Sequence, residues 1–512
     1  MNLQQAMGTV NLGRYEGLLR RVAEVCAELS LPAYAVGGFV RDIQLGRAIS
    51  EIDFVTLGPE SGIRMASAVG RAVGAKSVDV YPRFGTASVR LKQPWADRVE
   101  LLEFVAARKE SYRSDSRSPD VDAGTLEEDL RRRDFTVNAM AIRVDGDDFG
   151  QLLDLFDGVG DLERKLLRTP RPPEQTFEDD PLRMIRAARF ATELNFGIDQ
   201  HALRAMHEKA DRVSILSQER ITDELQRIML CAIPSTGYKL LHATGILEVF
   251  FPELTALQGV ETVGGQAHKD NFFHTLQVLD NLVEMTGHRA AEDTLWLRWA
   301  ALLHDIAKPR CKRFVPGVGW TFHGHEDRGA RMIPGLFRRL KLPLDERMHY
   351  VRKLVQFHHR PVALVDETVT DSAVRRLLFD AGDDVDDLMT LVRADITSKN
   401  EKRVKRYLKA FALVEDKMTE VEEKDRLRHF QPPVDGIEIM EKLGIPPGKA
   451  VGLLKDAIRE AILDGTIENS HDAAFALLME IKDEVLTSAP VRRQRNQGQS
   501  GRRRDDTSTD EE

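Results

Sequence analysis

Cysteine is scarce: Cys26, Cys231 and Cys311 are scattered through 512 residues. They show no metal-ligand spacing and sit in apolar helical contexts. That excludes a disulfide framework and a cysteine-based zinc site, and predicts reduced thiols in a cytoplasmic protein. Long apolar runs are missing too. No stretch reaches the ~18 residues that span a bilayer, so no membrane association is expected. The opening MNLQQAMGTVNLGRYEG lacks a basic flank followed by an apolar core, so no signal peptide is expected. Nor is there an excess of basic residues: 73 Lys and Arg stand against 82 Asp and Glu, a net charge of −9. That balance excludes indiscriminate polyanion binding but leaves room for a local basic groove. What remains is length and an ordinary composition, 42% hydrophobic and 30% charged. Together they predict a soluble protein of roughly three domains, because one core stops growing well short of this size.

The most informative stretch runs from Tyr34 to Thr56, YAVGGFVRDIQLGRAISEIDFVT. An apolar strand breaks at Gly37 and Gly38, a helical turn begins at Arg41 and Asp42, and a second strand follows over Ile52 to Val55. Glu51 and Asp53 are two apart, so a strand points both at one face. Two carboxylates beside a glycine turn suit a divalent metal that holds a triphosphate. Glycine lets backbone N–H groups approach phosphate, and Mg²⁺ neutralises the charge that develops in an in-line displacement. A strand–turn–helix with a solvated acidic edge would carry the same residues.

Around this stretch the pattern predicts helices over 13–30 and near 60–73, with strands at SVDVYPRF, TASVRL and RVELLEFVA. Such a mixture belongs to a small α/β or α+β domain, closing near residue 168. Within RVELLEFVA, Glu103 is an acid in an apolar strand. Buried and alone it would be costly, so it is a candidate third metal ligand unless the position faces solvent. The polar segment from Arg108 to Asp122 predicts a mobile loop. Beyond it, Arg131, Arg132 and Arg133 splay around a helix; they cannot all serve one salt bridge, and suit either phosphate or solvent.

After Pro170, Pro172 and Pro173, the segment TFEDDPLRMIRAARFATELNF places Asp179, Asp180 and Pro181 at a helix start. Asp180, Arg183 and Arg186 follow one another at spacings of three. Carboxylate and guanidinium offer opposite hydrogen-bond patterns, so they can read the Watson–Crick edge of a base or pair with each other along the helix. The rest to about residue 257 reads as helical.

These pieces together resemble a known family. GGFVRDIQLG with EID, RRRDFTVNAMA, LLDLFDGVGDLERKLLR, EDDPLRMIRAARFATELNF and SQERITDEL follow one another over about residues 30–250. In that order they resemble the bacterial CCA-adding tRNA nucleotidyltransferases and poly(A) polymerases of the polymerase-beta-like superfamily. The resemblance implies an α+β protein with a palm-like, mixed-sheet head and mostly α-helical neck and body segments. It implies that Gly37, Gly38 and Arg41, with Asp42 beside them, belong to the triphosphate turn. Glu51 and Asp53 would be the catalytic carboxylates for Mg²⁺, with Glu103 as an acid on a later strand. Arg132, Arg133, Asp134 and Asn138 would read ribose and triphosphate, and Asp154, Gly158 and Asp161 would couple head to neck. Asp180 and Arg183 would template the incoming CTP or ATP, with Arg186 on the same face. The implied reaction is template-independent addition or repair of the 3′-terminal CCA of tRNA, releasing pyrophosphate; poly(A) addition and partial CCA addition are the alternatives. One position departs from the family, which has aspartate at both carboxylate sites. Here the first is Glu51, one methylene longer, which shifts ligand geometry.

The second half carries another set: His274, His304 with Asp305, His325, His358 with His359, and Asp395. Imidazoles and carboxylates on several helices suit a divalent metal with bound water activated for phosphoester attack. The set resembles the HD-domain metal-dependent phosphohydrolases. That resemblance implies that His274, His304, Asp305 and Asp395 bind a divalent metal of unspecified identity, with His325 and His358 near a second ion. Lys308 suits a phosphate or the surface equally. A phosphohydrolase acting on nucleotides or RNA ends, with a degenerate transferase head, is the reading from a different class. The expected divisions are a head over 1–168, a neck over 169–257, an all-α HD domain over 258–400 and a helical region over 401–487. The tail from 488, with few apolar residues and several arginines, is expected to be disordered.

Overall fold

Leu18, Leu19, Val22, Val25 and Cys26 recur at helical spacing and are buried together, which is why α1 (Glu16–Leu29) forms and packs where it does. The computed structural model in which this is seen describes residues 6–82, 85–96, 98–111, 120–263, 266–267, 269–366, 370–397, 400–425 and 432–488. The tail from 489 and the middle of the expected loop, 112–119, lie outside the described residues. The chain forms two compact units: residues up to 358 with 390–399, and residues 359–389 with those from 400 on.

The first unit begins with an eight-stranded mixed sheet. In chain order its elements are β1 (Ala6–Thr9), α1, β2 (Ala33–Val36), α2 (Gly38–Gln44), β3 (Glu51–Thr56), α3 (Ser61–Ala72), β4 (Ser77–Tyr81), β5 (Thr86–Trp95) and β6 (Val99–Ala106). A two-stranded ribbon, β7 (Arg108–Ser111) and β8 (Asp120–Ala123), precedes α4 (Leu126–Arg131), β9 (Met140–Arg143), β10 (Gln151–Asp154) and α5 (Gly158–Arg164). Strand order is β1-β10-β9-β2-β3-β6-β5-β4; β3 and β6 run parallel and the other neighbours antiparallel. The ribbon corrects the expectation of a loop throughout Arg108–Asp122. Polarity argued against a strand, but a two-stranded ribbon is held by paired backbone groups and needs no apolar alternation to form. A capping box starts α4: Glu128 N–H donates to Thr125 Oγ1 at 3.3 Å and Thr125 N–H to Glu128 Oε2 at 2.9 Å.

Helices follow: α6 (Pro173–Asp179), α7 (Leu182–Leu194), α8 (Gln200–Glu208), α9 (Gln218–Met229), α10 (Ser235–Ala243), α11 (Ile246–Phe250) and α12 (Pro252–Thr255). Then come α13 (Asn271–Met285), α14 (Leu295–Leu303), α15 (Lys308–Cys311), α16 (His325–Arg339) and α17 (Glu346–Phe357). The second unit is helical, with α18 (Arg360–Asp366), α19 (Asp371–Ala381), the start of α20 (Val385–Ala394), α21 (Glu401–Asp425), α22 (Gly436–Leu443), α23 (Lys449–Asp464) and α24 (His471–Ser488). Among the described residues no helix is long and apolar enough to cross a membrane.

Helix α3 lies close on the sheet because Gly62 has no side chain. A Cβ there would stand 2.9 Å from the Gly85 carbonyl oxygen and 3.0 Å from both Ala106 N and the Phe104 carbonyl oxygen. These are backbone atoms and cannot swing aside. Gly62→Ala is therefore expected to lower stability by about 1–3 kcal/mol, read as a lower urea midpoint.

Candidate active site and metal centre

Strand register assembles the first cluster. Glu51 and Asp53 share a face of β3, and the parallel pairing with β6 sets Asp53 directly beside Glu103. Glu103 is exposed, so burial is not what makes it a ligand candidate; its register position is. Asp53 is pushed up to about 6, first by burial and then by Glu51 and Glu103, against the pull of Arg133. Glu103, exposed as a residue but half-enclosed at its carboxyl, is raised first by that partial desolvation and then by Glu51. Three oxygen donors brought together by register fit a hard divalent cation, which would favour the ionised form of Asp53 and Glu103.

The glycine turn faces this cluster. Gly37 has φ +71°, and a Cβ there would lie 3.0 Å from Arg133 Nη1 and 3.6 Å from Asp53 Oδ2. Arg41 is buried, donating from Nε and Nη2 to the Asp42 carboxylate (2.9 and 2.8 Å) and from Nη1 to Asn138 Oδ1 (2.9 Å). Of the three consecutive arginines, Arg132 and Arg133 do share one carboxylate. Asp129, fully buried, takes Arg132 on Oδ1 and Arg133 on Oδ2, while Arg131 pairs with Glu127. Burial works to raise Asp129, but Arg133 and Arg132 outweigh it and hold the carboxyl down. Asp161, also buried, accepts from Thr136 Oγ1 (2.6 Å) and Arg168 Nε (3.0 Å), while Asp154 accepts from Gly158 N (2.8 Å).

Helix α7 closes the opposite wall. Asp134 is buried and held well below the usual carboxylate range: burial works against this, but Arg186 and Asn138 prevail. Its Oδ2 accepts from Arg186 Nε (2.9 Å) and Nη2 (2.6 Å), its Oδ1 from Phe135 N (2.8 Å) and Asn138 Nδ2 (3.1 Å). Arg183 donates to the carbonyls of Arg132 (2.7 Å) and Thr176 (3.3 Å). Asp180 sits in extended backbone just before α7; it accepts from Leu182 N (3.1 Å) and from Arg220 Nη2 (3.2 Å). Asp180, Arg183 and Arg186 thus make no ion pairs with one another, each being tied to a different partner. The space between the walls is a cavity of about 630 Å³, lined by nine arginines and six carboxylates. The excess of guanidinium suits a polyanionic ligand.

The second cluster is built by helix ends in the same unit. His274 lies on α13, His304 and Asp305 follow α14, His325 opens α16, His358 follows α17 and Asp395 follows α20. Asp305 stands between two groups. Its Oδ2 lies 3.2 Å from His304 Nε2, 3.6 Å from His274 Nε2 and 2.6 Å from Lys308 Nζ. Its Oδ1 lies 3.2 Å from His325 Nε2 and 3.9 Å from His358 Nε2, and Asp395 Oδ1 is 2.9 Å from His274 Nε2. Nδ1 of His304, His325 and His358 faces the carbonyls of Ala301 (2.8 Å), Phe322 (2.9 Å) and Val355 (2.7 Å). Those bonds make Nδ1 the donor to the backbone and turn each Nε2 inward, where a bound cation would replace any proton it carries. His304 Nε2 and both Asp305 oxygens are buried without a partner of hydrogen-bond geometry, as a metal-binding group requires. Burial would lower His304, but Asp305 and Asp395 overcome it and push the imidazole up to about 10. His304 and Lys308 likewise overcome burial to hold Asp305 well below its ordinary range. A divalent cation would do the same work for these carboxylates.

The structure therefore brings the residues singled out in the sequence into two places. His359 is exposed and belongs to the second unit. Sequence reasoning missed Asp129, Phe190, Arg189, Arg220, Glu224, Lys269 and Thr397. Glu224 is buried and pairs with Arg189 Nε (2.6 Å), and His274 Nδ1 meets Thr397 Oγ1 at 2.9 Å. A signal for Glu224 was present: it falls on the apolar stripe Ile221, Leu225, Ile228 of its helix, where an acid needs a buried partner.

Comparison with known proteins agrees with this arrangement. The family described as poly A polymerase head domain matches residues 33–168, that described as probable RNA and SrmB-binding site of polymerase A matches 195–258, and HD domain matches 271–386. Asp395 lies beyond that last span, yet the fold returns it to the cluster. The A-adding tRNA nucleotidyltransferase of Deinococcus radiodurans is 32% identical over 86% of this chain and 94% of its own length. The CC-adding tRNA nucleotidyltransferase of Thermus thermophilus is 31% identical over 87% and 93%. A solved tRNA nucleotidyltransferase complexed with a primer tRNA and an incoming ATP analog is 25% identical, with TM-score 0.53 over 77% of this chain and 99% of that one.

Two outcomes are expected. Asp53 titrates near 6 in the folded protein against about 3.9 when unfolded, so the folded state holds the extra proton. Stability without metal then falls as pH rises through that window. Asp53→Asn should therefore melt higher than wild type above pH 6 in a chelator, the gain shrinking as pH falls toward about 4; a lower melting point at pH 8 would contradict this. For the histidine cluster, calorimetric titration with Mn²⁺ should show a site that Asp305→Asn weakens by more than about 100-fold.

Proposed function

The chain belongs to the tRNA nucleotidyltransferase family with a poly A polymerase head, and from that premise we propose that it builds or repairs the 3′-terminal CCA of tRNA from CTP and ATP. The observation that carries this reading is the arginine-rich cavity, with the β3 carboxylates on one wall and Asp180 and Arg183 on the other. The terminal 3′-hydroxyl of the RNA attacks the α-phosphate in line, and pyrophosphate leaves. Glu51 and Asp53, with Glu103 beside them, would hold Mg²⁺, which when bound neutralises phosphate charge and favours ionisation of the attacking hydroxyl. Gly37 and Gly38 give the triphosphate access to backbone N–H groups, and Arg41, Arg132 and Arg133 surround it with donors. Asp134 and Asn138 position the ribose side of the cavity, and Asp134 keeps Arg186 fixed behind it. Asp180 accepts from the exocyclic amino group shared by cytosine and adenine, while Arg183 donates to the neighbouring ring nitrogen. Uracil and guanine present the opposite pattern and are rejected. Catalysis is then positioning and charge stabilisation.

A second reading has the chain adding only part of CCA, and it is favoured by a specific observation. Two relatives that match nearly end to end have names that divide the task, one A-adding and one CC-adding. The histidine cluster adds a separate candidate activity, hydrolysis of a phosphoester by a water held between Asp305 and its histidines. We divide the chain into head, neck, HD and C-terminal parts near 168, 257 and 400, and place the protein in the cytoplasm, in keeping with three free cysteines.

The test uses transcripts ending before CCA, after C and after CC, with Mg²⁺, CTP and ATP. Extension of all three that stops at CCA is expected, with Asp53→Ala slower by at least about 10²-fold. Addition of A alone to the CC end, or of CC alone, would move the assignment to partial addition. No extension of any transcript would overturn the transferase reading.

A further inference from the structure

Asp180 is anchored but not filled. A carboxylate accepts about four hydrogen bonds. Among the described residues Asp180 receives two, from Leu182 N on Oδ1 at 3.1 Å and from Arg220 Nη2 on Oδ2 at 3.2 Å. Asp42 and Asp134 line the same cavity, and each is gripped by two nitrogens of one guanidinium. The two anchors of Asp180 come from different elements: Leu182 opens α7, and Arg220 stands in the first turn of α9. One donor would leave the carboxylate free to turn, because the terminal torsion of aspartate is broad; a donor on each oxygen fixes its plane. Helix α9 is itself held beside this point. Glu224, four residues on and so on the same face as Arg220, is buried against Arg189 Nε (2.6 Å) and Arg186 Nη1 (3.7 Å). Thr222 Oγ1 donates to the Leu340 carbonyl.

The pair of Arg220 and Asp180 does little for stability. The two side chains are 43% and 25% exposed, and ion pairs that open are screened by water and salt. Both residues line the cavity, and the carboxylate is the one assigned above to the incoming base. We propose that Arg220 is a specificity-determining positioning residue. Through Asp180 it fixes where the acceptor lies, so that only a base with an amino group at that point is taken. The inference rests on the proposed reading of Asp180. A carboxylate free to swing would also meet the ring N–H of uracil or guanine, and the rejection of those bases would be lost.

The full chain is compared with Arg220→Ala, Arg220→Lys, Asp180→Ala and the double variant Asp180→Ala with Arg220→Ala. kcat/KM is measured for CTP against UTP on the transcript ending before CCA, and for ATP against GTP on the one ending after CC. Arg220→Ala should lower both preferences by about 10-fold or more, with KM for tRNA and the melting temperature unchanged. Arg220→Lys should keep most of the preference, because the contact uses one donor and an ammonium can supply one. The double variant should discriminate no worse than Asp180→Ala alone, as expected when one residue acts only through the other. Additive losses, or a raised KM for tRNA with the preference intact, overturn the positioning role and make Arg220 a direct RNA contact. A preference that survives Arg220→Ala but not Asp180→Ala overturns that role alone and leaves the base reading in place. A preference that survives Asp180→Ala overturns the base reading itself, and the part of Arg220 with it.

Discussion

The pair of buried Asp134 and half-buried Arg186 is the contact on which the first cavity depends. A carboxylate taken out of water is costly, and Asp134 recovers that cost through four donors, two of them from one guanidinium. Asp134 belongs to the segment that follows α4, and Arg186 to α7. Their pairing therefore fixes the helix that carries Arg183 against the sheet that carries Asp53. Removing Arg186 would leave Asp134 charged and buried, a loss of roughly 3–5 kcal/mol. Glu224 extends the arrangement, lying 3.7 Å from Arg186 Nη1 and 2.6 Å from Arg189 Nε, so α9 is held to the same point. Phe190 sits at the centre: the guanidiniums of Arg41, Arg186 and Arg189 lie 5.1, 5.1 and 3.9 Å from its ring. The aromatic face attracts cations that would otherwise repel one another.

The two clusters answer the problem of concentrated charge differently. The β3 and β6 carboxylates stand at the edge of a wide cavity, with guanidiniums opposite and no imidazole among them. Oxygen donors in such a setting suit a hard cation that keeps some of its water. The second cluster is nearly dry, with His304 and Asp305 essentially inaccessible. Its charges balance internally, and its imidazoles are oriented from behind by backbone carbonyls. Nitrogen donors of fixed direction suit a transition metal better than Mg²⁺. One chain thus carries two clusters of carboxylates whose surroundings differ chemically.

How far the sequence foretold this varied by residue, and the reasons are physical. Glu51 and Asp53 were legible because period two fixes which face a strand residue takes. Glu103 was selected for a cost of full burial, but the residue is exposed; what matters is register across β3 and β6, and pairing between distant strands leaves no local mark. The histidines were legible as a set, but not the place of Asp305 between two groups of them, which depends on how α13, α14, α16 and α17 converge. Spacing of three suggested that Asp180, Arg183 and Arg186 would act together. A break in helix between α6 and α7 turned Asp180 toward Arg220 and left Arg186 to Asp134. The ribbon β7–β8 was hidden because backbone pairing by itself has no apolar signature.

Net charge was the least informative quantity of all. A chain at −9 nevertheless gathers nine arginines around one cavity, because charge acts over about 8–10 Å at ordinary salt and not over the whole molecule. Segregation therefore matters more than the sum. In the second unit, by contrast, acids neutralise arginines one by one: Arg360 pairs with Asp380, and Arg376 with Glu460 and Asp464, so charge there is dispersed where the cavity concentrates it.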